Sequence, residues 1–198
     1  LKTEKIKLSF CLFLIFFIFS SCGITKENEI IVNDKIINGE FEEELAIGWQ
    51  KVNKDYVGYN SIKLLGINKN NYANVKKVMC GYAELFQIIK LDNLNQNLSV
   101  RLNLNAYANR QGYTATSAFT IAFLDEENNV IAETRIAYSP AGLSNTPTLY
   151  HHQVKSKEWK NHTINLKQEI DRFSKIDPSQ IVKLKIALYA YGSNTQGC

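Results

Sequence analysis

Histidine is scarce: His151, His152 and His162 are the only three in the chain. Adjacent residues on a strand point to opposite faces, so the first two cannot easily chelate one metal together, and a histidine-built metal centre is not expected. The sequence also lacks a G-x-S-x-G, an H-E-x-x-H and a phosphate-loop pattern. With no nucleophile placed beside a base, nothing in the chain argues for an enzyme. The one dense acidic run, Asp125-Glu126-Glu127, falls between two alternating stretches, where a turn leaves carboxylates in water rather than pairing them for acid–base work. Basic clusters are missing as well: the formal net charge is +4, and no Lys/Arg run exceeds Lys76-Lys77. A nucleic-acid partner is thereby excluded, since it calls for a basic patch or stripe. There is no internal repeat and no low-complexity segment, and 198 residues accommodate one domain and a targeting segment.

That targeting segment is at the start. Lys2, Lys5 and Lys7 precede an uncharged apolar run from Phe10 to Phe19, a basic region followed by a hydrophobic one, as in a secretory signal. The run is short of the roughly 20 residues that span a bilayer, so cleavage is expected. It closes on Ile18-Phe19-Ser20-Ser21-Cys22-Gly23, which resembles the lipobox of bacterial lipoproteins. The resemblance implies a signal peptide over 1–21, acyl chains on Cys22, a membrane partner through that lipid anchor, and a place in the bacterial cell envelope. Each buried methylene of such chains contributes about 0.8 kcal/mol, so more than one chain anchors stably. Removal of 1–21 takes away three lysines and one glutamate and lowers the charge from +4 to +2. Of the four cysteines, Cys11 lies in the signal and Cys22 carries lipid, which leaves Cys80 and Cys198 either to pair after export or to remain free. Residues 22–35 are polar and aperiodic, a tether reaching roughly 45 Å at most.

From residue 36 to 198 the pattern is that of one β domain. Leu98, Val100, Leu102, Leu104, Ala106 and Ala108 alternate with Ser99, Arg101, Asn103, Asn105, Tyr107 and Asn109, which predicts a half-buried strand over 98–109. Val182, Leu184, Ile186, Leu188 and Ala190 form a second stripe opposite Lys183, Lys185, Ala187, Tyr189 and Tyr191. Phe119, Ile121 and Phe123 lead through Asp125–Asn129 into Val130, Ala132, Thr134, Ile136 and Tyr138, a β-hairpin. Shorter strands are expected at 36–41, 48–53, 60–66, 73–79, 83–91, 150–155 and 159–166, with one helix over 167–174. Many short strands and almost no helix imply an all-β, antiparallel β-sandwich or barrel.

Several phrases occur in a telling order. Ile37-Asn38-Gly39-Glu40-Phe41-Glu42 with Gly48-Trp49, Tyr82-Ala83-Glu84-Leu85-Phe86-Gln87-Ile88-Ile89, the hairpin of 119–131, and Trp159 through Leu166 resemble carbohydrate-binding modules with the galactose-binding-like jelly roll. The resemblance covers nearly all of 36–192 and implies a jelly-roll sandwich, a glycan partner and a structural calcium. Glu40 or Glu42 would supply an oxygen to that calcium, which takes about six to eight. Family members continue past Tyr191-Gly192-Ser193-Asn194 into a closing strand with an aspartate; here the chain stops at Cys198, so that strand is expected to be missing.

Sugar recognition needs flat aromatic faces and planar polar groups. Arg101, Asn103, Asn105 and Tyr107 offer both on one strand face, and Tyr189 and Tyr191 offer a second set, the two forming one platform only if their strands share a sheet. Solvated strand faces with incidental tyrosines are the plainer alternative. Rim loops are the other candidate, chiefly 139–149 with Pro140, Gly142, Asn145 and Pro147, which Tyr113 could join. Trp49 and Trp159 are expected in the core. The leading expectation is a non-catalytic glycan-binding lipoprotein. Its rivals are a structural or adhesive lipoprotein that binds a protein, and the front part of a longer glycan-active enzyme.

Overall fold

The computed structural model describes residues 30–67, 70–108, 112–155 and 157–194. The signal segment, Cys22 and Cys198 lie outside the described residues. Among the described residues no helix is long and apolar enough to cross a membrane.

The described strands are β1 Val32–Asn33, β2 Gln50–Asp55, β3 Tyr59–Ile67, β4 Asn70–Val78, β5 Gly81–Lys90, β6 Asn97–Leu102, β7 Tyr113–Leu124, β8 Val130–Tyr138, β9 Leu149–Gln153, β10 Lys160–Asn165 and β11 Lys183–Asn194. The single α-helix among them, α1, spans Leu166–Ile170. Seven strands form one sheet in the order β1-β5-β11-β7-β8-β9, with β2 also on β5. The remaining four make two separate antiparallel pairs, β3 with β4 and β6 with β10. Most pairings are antiparallel, as the short turns between strands require; the exceptions are β1 on β5 and β9 on β8. The long 139–148 connection lets β9 cross over and enter parallel to β8.

Alternation places one side of every strand in a common interior. Leu102, Ile121 and Ile186, from β6, β7 and β11, are 5%, 1% and 2% exposed and belong to one apolar cluster. Ile62 and Leu64 of β3, Ala73 and Val75 of β4, and Ile164 of β10 pack against or within the same cluster. Both strand pairs therefore lie over the inner face of the seven-stranded sheet, and the chain is a two-layer β-sandwich. Burial of each such Leu, Ile or Phe contributes about 1.5–3 kcal/mol.

Four local expectations need correction. The strand expected over 98–109 ends at Leu102, because its partner among the described residues, β10, begins at the pair Lys160↔Leu102, and a ladder cannot continue without a partner. Residues 36–41 form turns instead of a strand: Asn38 and Phe41 have φ of 50° and 56°, and the Asn38 amide bonds the backbone of Glu43 and Glu44. The helix is shorter than 167–174, since Asn165 caps it one residue early by accepting from the Gln168 N–H at 2.9 Å and Asp171 closes it. The last described part of the tether is not free: Val32 and Asn33 pair with Ile88 and Ile89, and Gln50 clamps the backbone of Ile31. The strand β11 is bonded along both edges, to β5 and β7, so it presents no unpaired edge.

Candidate functional site

On β5 and β11 every second residue points away from the shared interior. Opposite the core residues Leu85, Ile186 and Leu188 lie Tyr82, Glu84, Lys185, Ala187, Tyr189 and Tyr191. Register sets Tyr191 beside Tyr82 and Tyr189 beside Glu84. The three tyrosines consequently form a row: Tyr82 and Tyr189 have centroids 6.2 Å apart, and Tyr189 and Tyr191 6.3 Å apart with planes only 9° from parallel.

The next strand gives this row a low floor. The outward residues of β7 are small, with Thr116 facing Tyr191, Ala118 facing Tyr189 and Thr120 facing Ala187. Beyond β7, β8 presents Glu133 and Arg135, and β9 presents His151 directly opposite Arg135. Arg135 reaches back over β7 until its guanidinium lies 5.2 Å from the Tyr189 ring centroid. The two side chains cover the small residues between them, and Ala118 and Thr120 are buried although they point outward. The result is a sheet face with tyrosines on one side, a cation in the middle and an imidazole at the far side.

Charges on this face are tied down. Lys185 pairs with Glu84 at 2.8 Å, and Arg135 hydrogen-bonds Glu133. Burial pushes the Tyr189 hydroxyl up to about 12, with the nearby Arg135 acting in the opposite sense, so the phenol stays protonated and remains a donor. Burial and the Arg135 charge hold His151 below the usual imidazole range, which keeps it neutral near pH 7, and its Nδ1 is buried without a hydrogen-bond partner. Tyr191 is 36% exposed and Tyr82 half-buried, so ring faces remain open. Open aromatic faces flanked by fixed charges and protonated hydroxyls can hold a flat polyhydroxylated ligand.

The other expected site residues lie elsewhere. Because β6 pairs with β10 and not with β11, Arg101, Asn103, Asn105 and Tyr107 do not share a sheet face with Tyr189 and Tyr191. Asn103, Asn105, Tyr107 and Tyr113 nevertheless line one groove together with Tyr189 and Tyr191, whereas Arg101 borders a neighbouring cavity beside Tyr72 and Trp159. The rim loop of 139–148 adds no residue to that groove; its Asn145 accepts the His151 N–H at 2.8 Å and so props β9. Trp49 is 7% exposed and in the core, its indole N–H donating to the Asn38 carbonyl. Trp159 departs from expectation: it is 40% exposed, because it stands just before β10 at the groove. Glu40 and Glu42 are exposed on a loop, and among the described residues no three His, Cys, Asp or Glu side chains converge as a metal would need, so these two carboxylates do not by themselves fit calcium. Cys80 is disulfide-bonded; Cys198, the partner weighed for it in one of the two alternatives, is outside the described residues.

Tyr82, Glu84, Arg135, His151 and Lys185 are the residues of this face that sequence reasoning did not name as site residues. Their signal was present in the alternation: Tyr82 and Glu84 flank Ala83 and precede Leu85, and Arg135 sits between Thr134 and Ile136.

A second polar cluster serves structure. Glu169 of α1, 7% exposed at its side chain, accepts from Arg172 at 3.1 Å and lies 2.8 Å from His152 Nε2. Burial would raise its carboxyl, but the His152 and Arg172 interactions outweigh burial and lower it. The cluster ties α1 to β9.

No protein-family profile and no curated protein matches the chain. Among solved structures, the chain is similar to the family 11 carbohydrate-binding module of the cellulosomal cellulase Lic26A-Cel5E of Clostridium thermocellum, at 13% identity and a TM-score of 0.36, over 83% of this chain and 93% of that one. It is also similar to the family 11 module from Clostridium thermocellum in complex with a β-1,3-1,4-mixed-linked tetrasaccharide, at 13% identity and a TM-score of 0.38, over 78% of this chain and 89% of that one.

Proposed function

We propose that this domain is a non-catalytic glycan-binding module, carried at the bacterial envelope by a lipid on Cys22. The observation that carries the binding reading is the row of Tyr82, Tyr189 and Tyr191 on one outward sheet face, with Arg135 and His151 beyond it. A pyranose has an apolar face of C–H groups and a rim of hydroxyls. The rings take the first and the phenols, the neutral imidazole and the Glu84–Lys185 pair take the second. The face is rigid because it lies on three central strands, so binding orders few groups and loses little entropy. The lipid anchor is supported by the sequence of residues 2–23 alone: three lysines, a short apolar run and Ser20-Ser21-Cys22 in register.

The test is a glycan array followed by affinity electrophoresis. The chain is expected to retain on at least one polysaccharide, and Tyr191→Ala is expected to raise Kd about tenfold, roughly the loss of one ring-to-sugar contact of about 1.4 kcal/mol. Silence across the array, together with co-purification of one envelope protein, would replace this reading with that of an adhesive protein.

A further inference from the structure

One end of the sandwich carries an apolar tip made of two turns, β2 to β3 and β4 to β5, that lie side by side. The Tyr56 and Val57 N–H groups donate to the Cys80 carbonyl at 3.3 and 3.4 Å, and a Cβ on Gly58, at φ +90°, would stand 2.9 Å from the Met79 Cβ. Tyr56, Val57, Tyr59 and Met79 are between 48% and 53% exposed, so four large apolar or aromatic side chains crowd this small area. Lys77 pins the turns beneath them: its side chain is wholly buried, pairs with Asp55 at 2.8 Å and donates to the Val57 and Val78 carbonyls at 3.1 and 2.9 Å. The rings therefore cannot fold away from water.

Two cations stand beside the tip. The Lys54 ammonium lies 4.8 Å from the Tyr56 ring centroid and that of Lys76 5.5 Å from the Tyr59 centroid, and among the described residues neither joins an ion pair. The acidic turn Asp125-Glu126-Glu127 is at the opposite end, since it follows Leu124, which lies across Lys183 from Lys90 at the far end of β5. Four half-exposed side chains fall short of the roughly 800 Å² that each partner gives to a stable protein interface. They suit a bilayer surface, where tyrosine rings settle at the headgroup level, short apolar groups meet the acyl boundary and lysines reach anionic phosphates. The path of the chain agrees. Strand β1 runs parallel to β5 through Val32↔Ile88, so the chain arrives at Val32 heading away from the Gly81 end, past Gln50, whose amide clamps the Ile31 backbone. From Ile88 back to Gly81 is seven residues, roughly 24 Å, and Cys22 stands ten residues before Val32, a reach of up to about 36 Å. A lipid on Cys22 has chain enough to lie level with the tip.

We infer that the tip of Tyr56, Val57, Tyr59 and Met79 docks on an anionic phospholipid bilayer, a second membrane contact that stands the domain end-on to the surface. The inference rests on the reading of Cys22 as the lipid anchor, which brings the domain to that surface. Tryptophan quenching tests it, on the full chain as a bacterial host processes it, grown with labelled palmitate and reconstituted into vesicles whose lipids are brominated on the acyl chains. In vesicles of phosphatidylethanolamine with phosphatidylglycerol, Tyr56→Trp is expected to lose about half of the emission it adds over Trp49 and Trp159, because a ring at the headgroup boundary lies close to the chains. Val130→Trp, a 56% exposed position beside the acidic turn, is expected to lose none. Lys54→Gln with Lys76→Gln in the Tyr56→Trp chain is expected to lower the quenching to its level in vesicles of phosphatidylethanolamine alone. All of these side chains are exposed or half-buried, so an unchanged melting temperature serves as the control for folding. Equal quenching at the two positions, or none at 56 in a chain that carries the palmitate label, would overturn the tip and leave the anchor standing. Quenching at 56 without the label would retire the anchor and keep the tip, and neither label nor quenching would overturn both.

Discussion

Glu169 illustrates how one residue carries both cost and gain. It is nearly fully buried, which disfavours its charge, yet His152 and Arg172 hold it ionised and lower its pKa below the ordinary carboxylate value. A carboxyl lowered on folding contributes stability above its unfolded pKa and loses it as pH falls through the lower, folded one. Both partners are about one-third exposed, so solvent screening limits the contribution to about 1 kcal/mol. Glu169→Gln is therefore expected to melt about 2–4 °C below the parent at pH 7, and the gap should shrink as pH drops below about 4.5. A gap independent of pH, measured by thermal melts across that range, would contradict the ionised assignment. Gln87 is the uncharged counterpart: wholly buried, it accepts the Ile37 N–H at 3.0 Å and donates to the Ile37 carbonyl, so the phrase that holds it is explained by backbone satisfaction and not by ligand binding.

At the scale of elements, turns decide where strands meet. Gly81 opens β5 at φ +120°, and a Cβ there would stand 1.9 Å from the Lys54 carbonyl oxygen of β2. Gly142, in the 139–148 loop at φ +78°, has nothing within 4 Å of such an atom. Gly81→Ala is expected to cost about 3 kcal/mol or more, backbone strain plus clash, whereas Gly142→Ala costs about 1 kcal/mol of strain alone; urea unfolding of the two variants compares them. Equal costs would mean that the β2–β5 approach is not as close as drawn. The same scale shows how far sequence carries. Alternation at Leu98–Leu104 correctly marks which side chains are buried, even past the point where hydrogen bonding stops, because burial depends on side-chain direction and the ladder on a partner. It likewise separates Tyr189 from Leu188. Period two contains no information on which strand lies beside which, and so it could not join Tyr82 to Tyr191.

For the whole molecule, the sandwich lets one sheet serve two layers. Its inner face is bonded into the core by Phe123, Leu85 and Ile186, and its outer face is left with tyrosines over alanines and threonines. Near β1 that outer face is closed instead: Phe86, Ile88, Ala122, Leu124 and Ala187 form a second apolar cluster under Val32 and Val52. The start of the domain thus sits on the same face as the tyrosine row, toward its far end. The described part of the tether, Val32 and Asn33, joins the sheet beside β5 at that face. Cys22→Ser is expected to abolish incorporation of labelled palmitate in a bacterial host and to release the protein from the membrane fraction; retained label would rule out this cysteine as the anchor. The most direct measurement of the central claim is a titration followed in the aromatic C–H resonances, with Tyr82, Tyr189 and Tyr191 assigned and an array-positive oligosaccharide added. The account predicts that these three ring signals shift together and saturate with one Kd. Saturable binding that leaves all three unmoved would contradict it.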